Sequence, residues 1–274
     1  MKERFAALRK KVFCVILIGL AVAALHLGDA YVHLETIDRD AFEYRSTKVS
    51  DGLDGFRIAL LTDIHVRTNA DMERLARAIA LLEGERLDLL LLGGDFSYGD
   101  AKRAKTAYQM LSKVQTAHGV YAVLGNHDLG QSDIDSMEAY GIRCLRNDGY
   151  EIVSGLYLGG VEDLWSGKPD VQMAISGRAQ GDFVLLLSHN PDVVRDFDVS
   201  GVDLMLSGHT HGGLTNLFGL WSPATRFVSK YGSRFSKGLV HDAADVFISN
   251  GLGDTKYPRI FARRHVNIIT LRAK

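Results

Sequence analysis

The chain has 274 residues, a length that predicts one sizeable domain with its own core rather than two. Its 32 basic and 33 acidic residues give a net charge of −1, which argues against a general nucleic-acid binder because such proteins need a net basic face. The only two cysteines, Cys14 and Cys144, exclude a disulfide framework and a cysteine zinc site.

Residues 1–28 combine a basic cluster with an uncharged apolar stretch that runs from Val12 to Gly28. At about 1.5 Å per residue this stretch reaches roughly 25 Å, near the lower limit for crossing a bilayer. The segment is therefore predicted to be a membrane anchor or a signal segment, since residues 12–25 also have the length of a signal-peptide core. A helix that lies in the membrane surface is a third interpretation.

Apolar runs alternate with helical patterns along the rest of the chain. Residues 29–54 are interpreted as a linker and first strand, and residues 55–274 as the main domain. Strands are predicted at 56–61, 87–92, 120–124, 183–187, 202–206, 247–249 and 266–271, with a hairpin at 150–161. Helices are predicted at 72–82, 101–115, 132–140 and 171–178. The alternation favours a layered α/β fold, in which ligands gather at the carboxyl ends of the strands.

Five short polar segments follow these strand-like runs, at residues 63–65, 93–95, 125–128, 188–189 and 208–211. Asp63 and His65 are two positions apart, and in an extended segment both would face the same way. Asp95 follows two glycines that let the backbone turn sharply beside a ligand. Each of these observations is weak by itself, because a surface pair or a turn aspartate explains it equally well.

The segment 125–128 offers both a metal ligand and a proton donor. Asn126 has a neutral carbonyl oxygen suited to a metal, and His127 can protonate a leaving group. Asp128 could orient His127 or stabilise its charge, as carboxylates behind a functional histidine do. The alternative is a capped helix start, since Asn and Asp favour such positions.

The pair His209 and His211, flanked by glycines, is the strongest single signal because a packing explanation for it is rare. His189 ends the preceding strand and alone would pass for a core histidine. Five of the ten histidines fall in the five segments, all at strand ends. The joint pattern predicts two divalent metal ions, with ligands that suit manganese, iron or zinc. Two such ions can share a hydroxide and lower its pKa, so the chain is predicted to be a hydrolytic metalloenzyme.

The order of these motifs resembles the calcineurin-like metallophosphoesterase superfamily, over about Phe56 to Leu271. The residues that match its ligand and catalytic pattern are Asp63, His65, Asp95, Asn126, His127, His189, His209 and His211. The tail, with residues 251–253, Tyr257-Pro258 and 266–271, looks like a membrane-anchored bacterial phosphodiesterase branch. Leu214 departs from that branch, which often has a polar residue there.

The resemblance implies a four-layer sandwich of two central mixed β-sheets flanked by helices, with the apolar N-terminal helix in addition. It implies a first metal held by Asp63, His65 and His211, a second held by Asn126, His189 and His209, and Asp95 as the bridge. It also implies that His127 is the catalytic acid. Asp128 is counted as a catalytic residue beside His127 on the separate ground of its expected action on that histidine.

The expected activity is hydrolysis of a phosphodiester, with the metal-bridging hydroxide as nucleophile, on a membrane-associated substrate. The first alternative is a pyrophosphatase related to the enzyme that cleaves UDP-2,3-diacylglucosamine to lipid X and UMP in lipid A synthesis. The second is a catalytically silent anchored scaffold. Neither a nucleic acid nor an obligate protein partner is expected.

The membrane expectation is a single-pass or peripheral attachment to a bacterial inner membrane. The positive-inside rule favours a catalytic domain outside the cytoplasm, which opposes a nucleotide-linked lipid substrate made inside it. The segment 217–221 is interpreted either as an apolar lip for an acyl chain or as a core-packing loop. Lys230, Arg234 and Lys237 would contact phosphates or anionic headgroups, or form a solvated basic face.

Overall fold

The computed structural model describes residues 2–33, 35–255 and 259–274. Its α-helices are α1 (Lys2–Val32), α2 (Asn69–Ala80), α3 (Ala101–Leu111), α4 (Gln131–Ala139), α5 (Val171–Ala174) and α6 (Val193–Asp196). Its strands are β1 (Ile37–Ser46), β2 (Arg57–Leu61), β3 (Leu89–Leu92), β4 (Val120–Ala122), β5 (Ile142–Cys144), β6 (Asp148–Val153), β7 (Leu156–Gly160), β8 (Phe183–Leu187), β9 (Leu204–Ser207), β10 (Gly238–His241), β11 (Asp245–Ile248) and β12 (Arg264–Ala273). Short 3-10 turns lie at Asp51–Leu53, His211–Gly213, Pro223–Phe227 and Gly232–Phe235.

The strands of the described chain form two six-stranded sheets. The first sheet has the order β1-β12-β2-β3-β4-β5, and the second has the order β10-β11-β9-β8-β7-β6. Both are mixed. In the first sheet β12 runs antiparallel to β2, and in the second β6 and β10 run antiparallel to their neighbours, whereas the other pairs are parallel.

Alternating side chains of the strands divide the interior into three apolar layers. In β2, Ile58 and Leu60 face the core between the two sheets, while Ala59 and Leu61 face α2, α3 and α4. In β8, Leu186 faces away from the other sheet, toward α5 and α6. Because both faces of each sheet are covered, the central strands are continuous apolar runs. The four-layer α/β sandwich predicted from the sequence is confirmed.

Several elements differ from the sequence predictions. The helix predicted at 171–178 forms only α5. Strands β5 and β10 were not predicted, because Arg143 and His241 leave each of them without a continuous apolar run. The segment 29–54 contains the ten-residue β1, which pairs with β12 along its whole length as an edge of the first sheet. Most of its side chains are half-buried or exposed, which explains why its sequence shows no clear period.

Helix α1 extends beyond residue 28 to Val32 and leaves most of its apolar side chains exposed. Among the described residues it is the one helix long and apolar enough to cross a membrane, a test that a signal sequence also passes. The His26 side chain of α1, by contrast, is buried, and it lies against Phe218 and Phe261 of the main domain.

Candidate metal centre

The predicted polar segments converge at one edge of the sandwich. Asp63 and His65 follow β2, Asp95 follows β3, and residues 126–128 follow β4 of the first sheet. His189 follows β8, and residues 209–211 follow β9 of the second sheet. The parallel strands of each sheet end at the same edge, so loops from both sheets meet there.

Asp95 lies between one histidine from each sheet. Its Oδ2 is 3.5 Å from Nε2 of His65 and 3.4 Å from Nε2 of His189. Both histidine side chains are completely buried, and the Asp95 side chain nearly so. The carboxylate is therefore within reach of both predicted ligand sets.

Two further pairs of histidine rings lie close together in the cluster. Nε2 of His211 lies 3.2 Å from Nε2 of His65 and 3.6 Å from Oδ1 of Asp63. Nδ1 of His209 lies 3.1 Å from Nε2 of His189. Ring nitrogens that face each other at such distances need a proton or a cation between them, because two lone pairs repel.

The donor set fits divalent cations. Ligand atoms of Asp63, His65 and His211 lie within 4.8 Å of one another, and so do those of Asp63, Asp95 and His189. Asn126 Oδ1 is buried and has no hydrogen-bond partner among the described residues, as expected of an oxygen that a cation would use. The two groups share Asp63, and Asp95 lies between His65 of the first group and His189 of the second.

Hydrogen bonds behind the cluster decide which ring nitrogen faces inward. Nδ1 of His189 is 2.7 Å from the carbonyl oxygen of Gly93, and Nε2 of His209 is 3.0 Å from that of Val228. Each of these nitrogens must donate its proton to the carbonyl, which leaves the lone pair of the other nitrogen for a metal. Asp63 accepts the backbone N–H of His209, at 3.1 and 3.0 Å to its two oxygens.

The backbone of the cluster is held in a sparsely populated conformation. Positive φ angles of 48–68° occur at Asp63, His65, Asp95, His209 and His211. Such strain in non-glycine residues persists where the surrounding structure over-determines it, and it is typical of functional sites. Gly208 has no room for a side chain, because a Cβ there would overlap Oδ2 of Asp63.

His127 lies at the exposed edge of the cluster, with its ring centre 5.5 Å from that of His65. The prediction that Asp128 orients the His127 ring differs from the contacts of Asp128 in the structure. Among the described residues, the Asp128 carboxylate bonds to the backbone N–H groups of Asp95, Phe96 and Gly125, each at 2.8 Å, and not to the His127 ring. Asp128 therefore organises the turn that carries Asp95.

Burial and mutual repulsion shape the charges of the cluster. Burial raises the pKa of Asp63 to about 6 and lowers the pKa values of His65 to about 3 and His209 to about 4. Burial and the nearby Asp95 raise the pKa of Asp128 to about 8. Burial opposes ionisation of Asp95, but His189 outweighs it and lowers the pKa of that carboxyl. The neutral imidazoles of His65 and His209 are in the form that binds metals. Burial opposes protonation of His189, but the charge of Asp95 outweighs it and raises the pKa of that imidazole.

Three neighbours of the cluster carry no distinctive sequence signal. Tyr98 stacks on His65 at 4.5 Å between ring centres and lies 4.3 Å from His127. Trp165 meets the edge of His209 at 4.4 Å. Arg259 is buried, with Nη2 3.2 Å from Nδ1 of His211. Isolated aromatic and basic residues in loops are common, so only the folded chain identifies these three.

The sequence left two interpretations for the segment 217–221 and for the basic residues after it, and the exposure and ion pairs of these residues bear on the choice. Residues 217–221 are largely exposed, so the core-packing interpretation is wrong. Lys230 forms an ion pair with Asp196, and Arg234 forms one with Asp242. Of the tail residues that contributed to the resemblance, Tyr257 and Pro258 lie outside the described part of the chain.

Comparison with known proteins gives a consistent result. A family model described as calcineurin-like phosphoesterase matches residues 56–213. A metallophosphoesterase of Aquifex aeolicus (strain VF5), described as uncharacterized, is 30% identical over 92% of this chain and 98% of its own length. Phosphodiesterase YaeI of Escherichia coli (strain K12) is 29% identical over 92% of this chain and 95% of its own.

The solved structure of TT1561 from Thermus thermophilus has the same fold, with a TM-score of 0.50 at 14% identity over 74% of this chain and 92% of that one. The family match covers more than half of the chain and spans all the segments that meet at the candidate metal centre. The chain therefore belongs to the calcineurin-like phosphoesterase family and is a metal-dependent phosphoric ester hydrolase.

Proposed function

We propose that the protein is a phosphodiesterase that uses two divalent cations and acts on a membrane-associated substrate. The single observation that supports it most is the position of Asp95, whose Oδ2 is 3.5 Å from His65 and 3.4 Å from His189. That placement suits a carboxylate shared by two ions. Manganese, iron and zinc all fit the nitrogen and oxygen donors.

The residues of the centre would have two roles, metal binding and proton transfer. Asp63, His65 and His211 would hold one cation, and Asn126, His189 and His209 the other, with Asp95 shared. When bound, two such cations lower the pKa of water and neutralise the charge of phosphoryl oxygens. His127 is exposed beside His65, where it can give a proton to the leaving oxygen of the substrate.

The diester preference is supported by the relative named phosphodiesterase YaeI, which is similar over nearly its whole length. A second candidate, a pyrophosphatase that cleaves UDP-2,3-diacylglucosamine to lipid X and UMP, is favoured by the exposed apolar residues of the segment 217–221 near the centre. Such residues suit a substrate with acyl chains. In both cases α1 would attach the protein to a bacterial inner membrane, by one span or peripherally.

The test is a substrate panel. Full-length protein in phospholipid nanodiscs, loaded separately with each metal, is assayed on bis(p-nitrophenyl) phosphate, p-nitrophenyl phosphate, glycerophosphodiesters and UDP-2,3-diacylglucosamine, with Asp95→Asn as the inactive control. We expect diesters to be hydrolysed faster than the monoester by roughly tenfold or more. Protein that binds no transition metal and hydrolyses none of these compounds would instead be a silent scaffold.

Membrane topology separates the two candidates further. A reporter fused after Lys274 shows on which side of the membrane the catalytic domain lies. The positive-inside rule favours the outer side. A strictly external domain eliminates the nucleotide-linked lipid, because that class of substrate is made in the cytoplasm.

A further inference from the structure

The C-terminal part of α1 is fastened to a loop of the catalytic domain. The His26 ring lies 4.8 Å from the ring of Phe218 and 5.2 Å from that of Phe261. The backbone N–H of Phe261 donates to Oδ2 of Asp29 at 2.7 Å, and that of Phe218 points to Nε2 of His26 at 3.4 Å. These contacts define the level at which α1 meets the domain.

At that level the domain exposes large apolar side chains. We call residues 217–227 the apolar loop. Its exposed apolar residues are Leu217, Phe218, Leu220, Trp221 and Phe227. Leu220 is 88% exposed and Phe227 is 73% exposed. The backbone N–H of Leu217 donates to the carbonyl of Trp221 at 2.8 Å, which closes a turn with Leu220 at its tip. Exposed apolar groups concentrated in one loop mark an interaction surface.

The exposed surface of α1 indicates what covers this loop. Between Val12 and Leu25 the helix carries no charged residue, and its large apolar side chains Val12, Phe13, Val15, Ile16, Leu17, Ile18, Leu20 and Leu25 are exposed, a pattern that suits lipid. A bilayer around that part of α1 would reach His26 and therefore Phe218, which touches it. Tryptophan is enriched at the level of lipid headgroups, where Trp221 would lie. The Arg226 guanidinium, 5.0 Å from the ring of Phe227, adds a positive charge for anionic headgroups.

We propose that the apolar loop is a second membrane contact, which enters the headgroup region of the same bilayer that holds α1. The inference rests on the membrane attachment in the proposed function and specifies how the catalytic domain meets the lipid. The loop starts shortly after His211 and ends next to Val228, whose carbonyl bonds to His209. The bilayer surface would thus lie along one edge of the metal centre, which suits amphiphiles whose phosphoester lies at headgroup depth.

The two tryptophans of the chain allow a direct test. Trp165→Phe leaves Trp221 as the only tryptophan of the full-length protein. The variant is reconstituted into vesicles of phosphatidylethanolamine and phosphatidylglycerol, with or without bromine near the headgroup end of an acyl chain. We expect a blue-shifted emission and strong quenching of Trp221 by the brominated lipid. Equal emission in both vesicles would overturn the inference.

Matched variants in the same background assign any quenching to the loop. Leu220→Asp places a charge at the tip and should reduce the quenching of Trp221. Met173→Asp is the control, because Met173 is an equally apolar exposed residue on α5, which packs against β6 and β7 rather than α1. Circular dichroism verifies that both variants are folded. Equal quenching in the Leu220→Asp variant and the control would also contradict the inference.

A probe on α1 distinguishes failure of this inference from failure of the membrane proposal. Cys14 is exposed on α1 and Cys144 is buried, so a polarity-sensitive dye labels Cys14 selectively. A dye in lipid with Trp221 in water would overturn the loop contact and leave the anchor standing. A dye in water would overturn both. A dye in lipid with Trp221 quenched supports both.

Discussion

The carboxylate of Asp128 accepts the backbone N–H of Asp95 at 2.8 Å, with the same Oδ2 that accepts the N–H of Gly125 at 2.8 Å. One side chain thus ties the loop after β3 to the loop after β4. Asp95 reciprocates, since its Oδ1 accepts the N–H of His127 at 2.9 Å. The two aspartates hold adjacent loops in register, so that Oδ2 of Asp95 points between His65 and His189.

Replacing Asp128 should loosen the metal centre. Asp128→Ala leaves three buried backbone N–H groups without their acceptor, so we expect the free energy of unfolding to fall by about 2–4 kcal/mol. Metal content should fall with it, because Asp95 loses its support. Chemical denaturation and elemental analysis measure both. Asp135→Ala, at an exposed position on α4, is the control and should change stability by less than about 0.5 kcal/mol.

Asp95→Asn should weaken the binding of both cations, because the shared oxygen donor loses its charge while its shape is preserved. We expect lower metal stoichiometry and a large loss of turnover. Isothermal titration with manganese and elemental analysis provide the measurement. Asp100→Asn, at the exposed start of α3, is the matched control. Full occupancy and an unchanged rate in Asp95→Asn would disprove the shared role.

His127→Ala should separate proton transfer from metal binding. The ring is exposed and lies at the edge of the cluster, so its removal should leave the metal content unchanged. Turnover of a diester with a poor leaving group should fall by roughly 10²–10⁴-fold, the usual contribution of general acid catalysis. A diester with a p-nitrophenolate leaving group needs less protonation and should lose less activity. Loss of metal from this variant would mean that His127 is a ligand.

Gly208→Ala should damage the centre although it adds only a methyl group. That methyl would overlap Oδ2 of Asp63 and the side chain of Thr62, both of which are buried. Displacement of Asp63 should lower metal affinity, and overpacking should cost about 1–3 kcal/mol of stability. Gly52→Ala is the control, because the nearest atom to its new Cβ is Oγ of Ser50 at 3.9 Å. Normal metal content in Gly208→Ala would contradict the crowding argument.

The start of α2 predicts a pH-dependent contribution to stability. Burial of Asp71 opposes the ionisation of its carboxyl. Hydrogen bonds from Thr68 and Arg67 and the charge of Arg74 outweigh burial and lower the pKa of Asp71 below its ordinary value of 3.8. A carboxyl with a lowered pKa stabilises the fold above its unfolded-state pKa, and this stabilisation is lost as the pH falls through the folded-state pKa.

Asp71→Asn should therefore lower the free energy of unfolding by about 1–2 kcal/mol at neutral pH. The difference from the unsubstituted protein should shrink as the pH falls below about 4. Urea denaturation across this range measures the effect. Glu73→Gln, at an exposed position of the same helix, should show little dependence on pH. A difference that grows on acidification would have the wrong sign.

The sequence by itself determined the alternation of the main strands and helices and the kinds of donor atom offered at the strand ends. Continuous leucine runs such as β3 indicate strands covered on both faces. The joint occurrence of Asp, Asn and His residues after several such strands predicts metal ligands. Hydrophobic periodicity is a local property, so the sequence shows where each strand ends. Asp95 and His209 could therefore be placed just after the ends of two strands. The family followed from the same local segments.

Only the tertiary structure decided which distant residues meet. The pairing of β1 with β12, the bonds of Asp128 to backbone rather than to His127, and the contact between His26 and Phe218 all join residues with no shared local pattern. The inward nitrogen of each histidine depends on carbonyls such as those of Gly93 and Val228. Long-range contacts arise from the packing of whole sheets and loops, and that packing leaves no periodic signal along the chain.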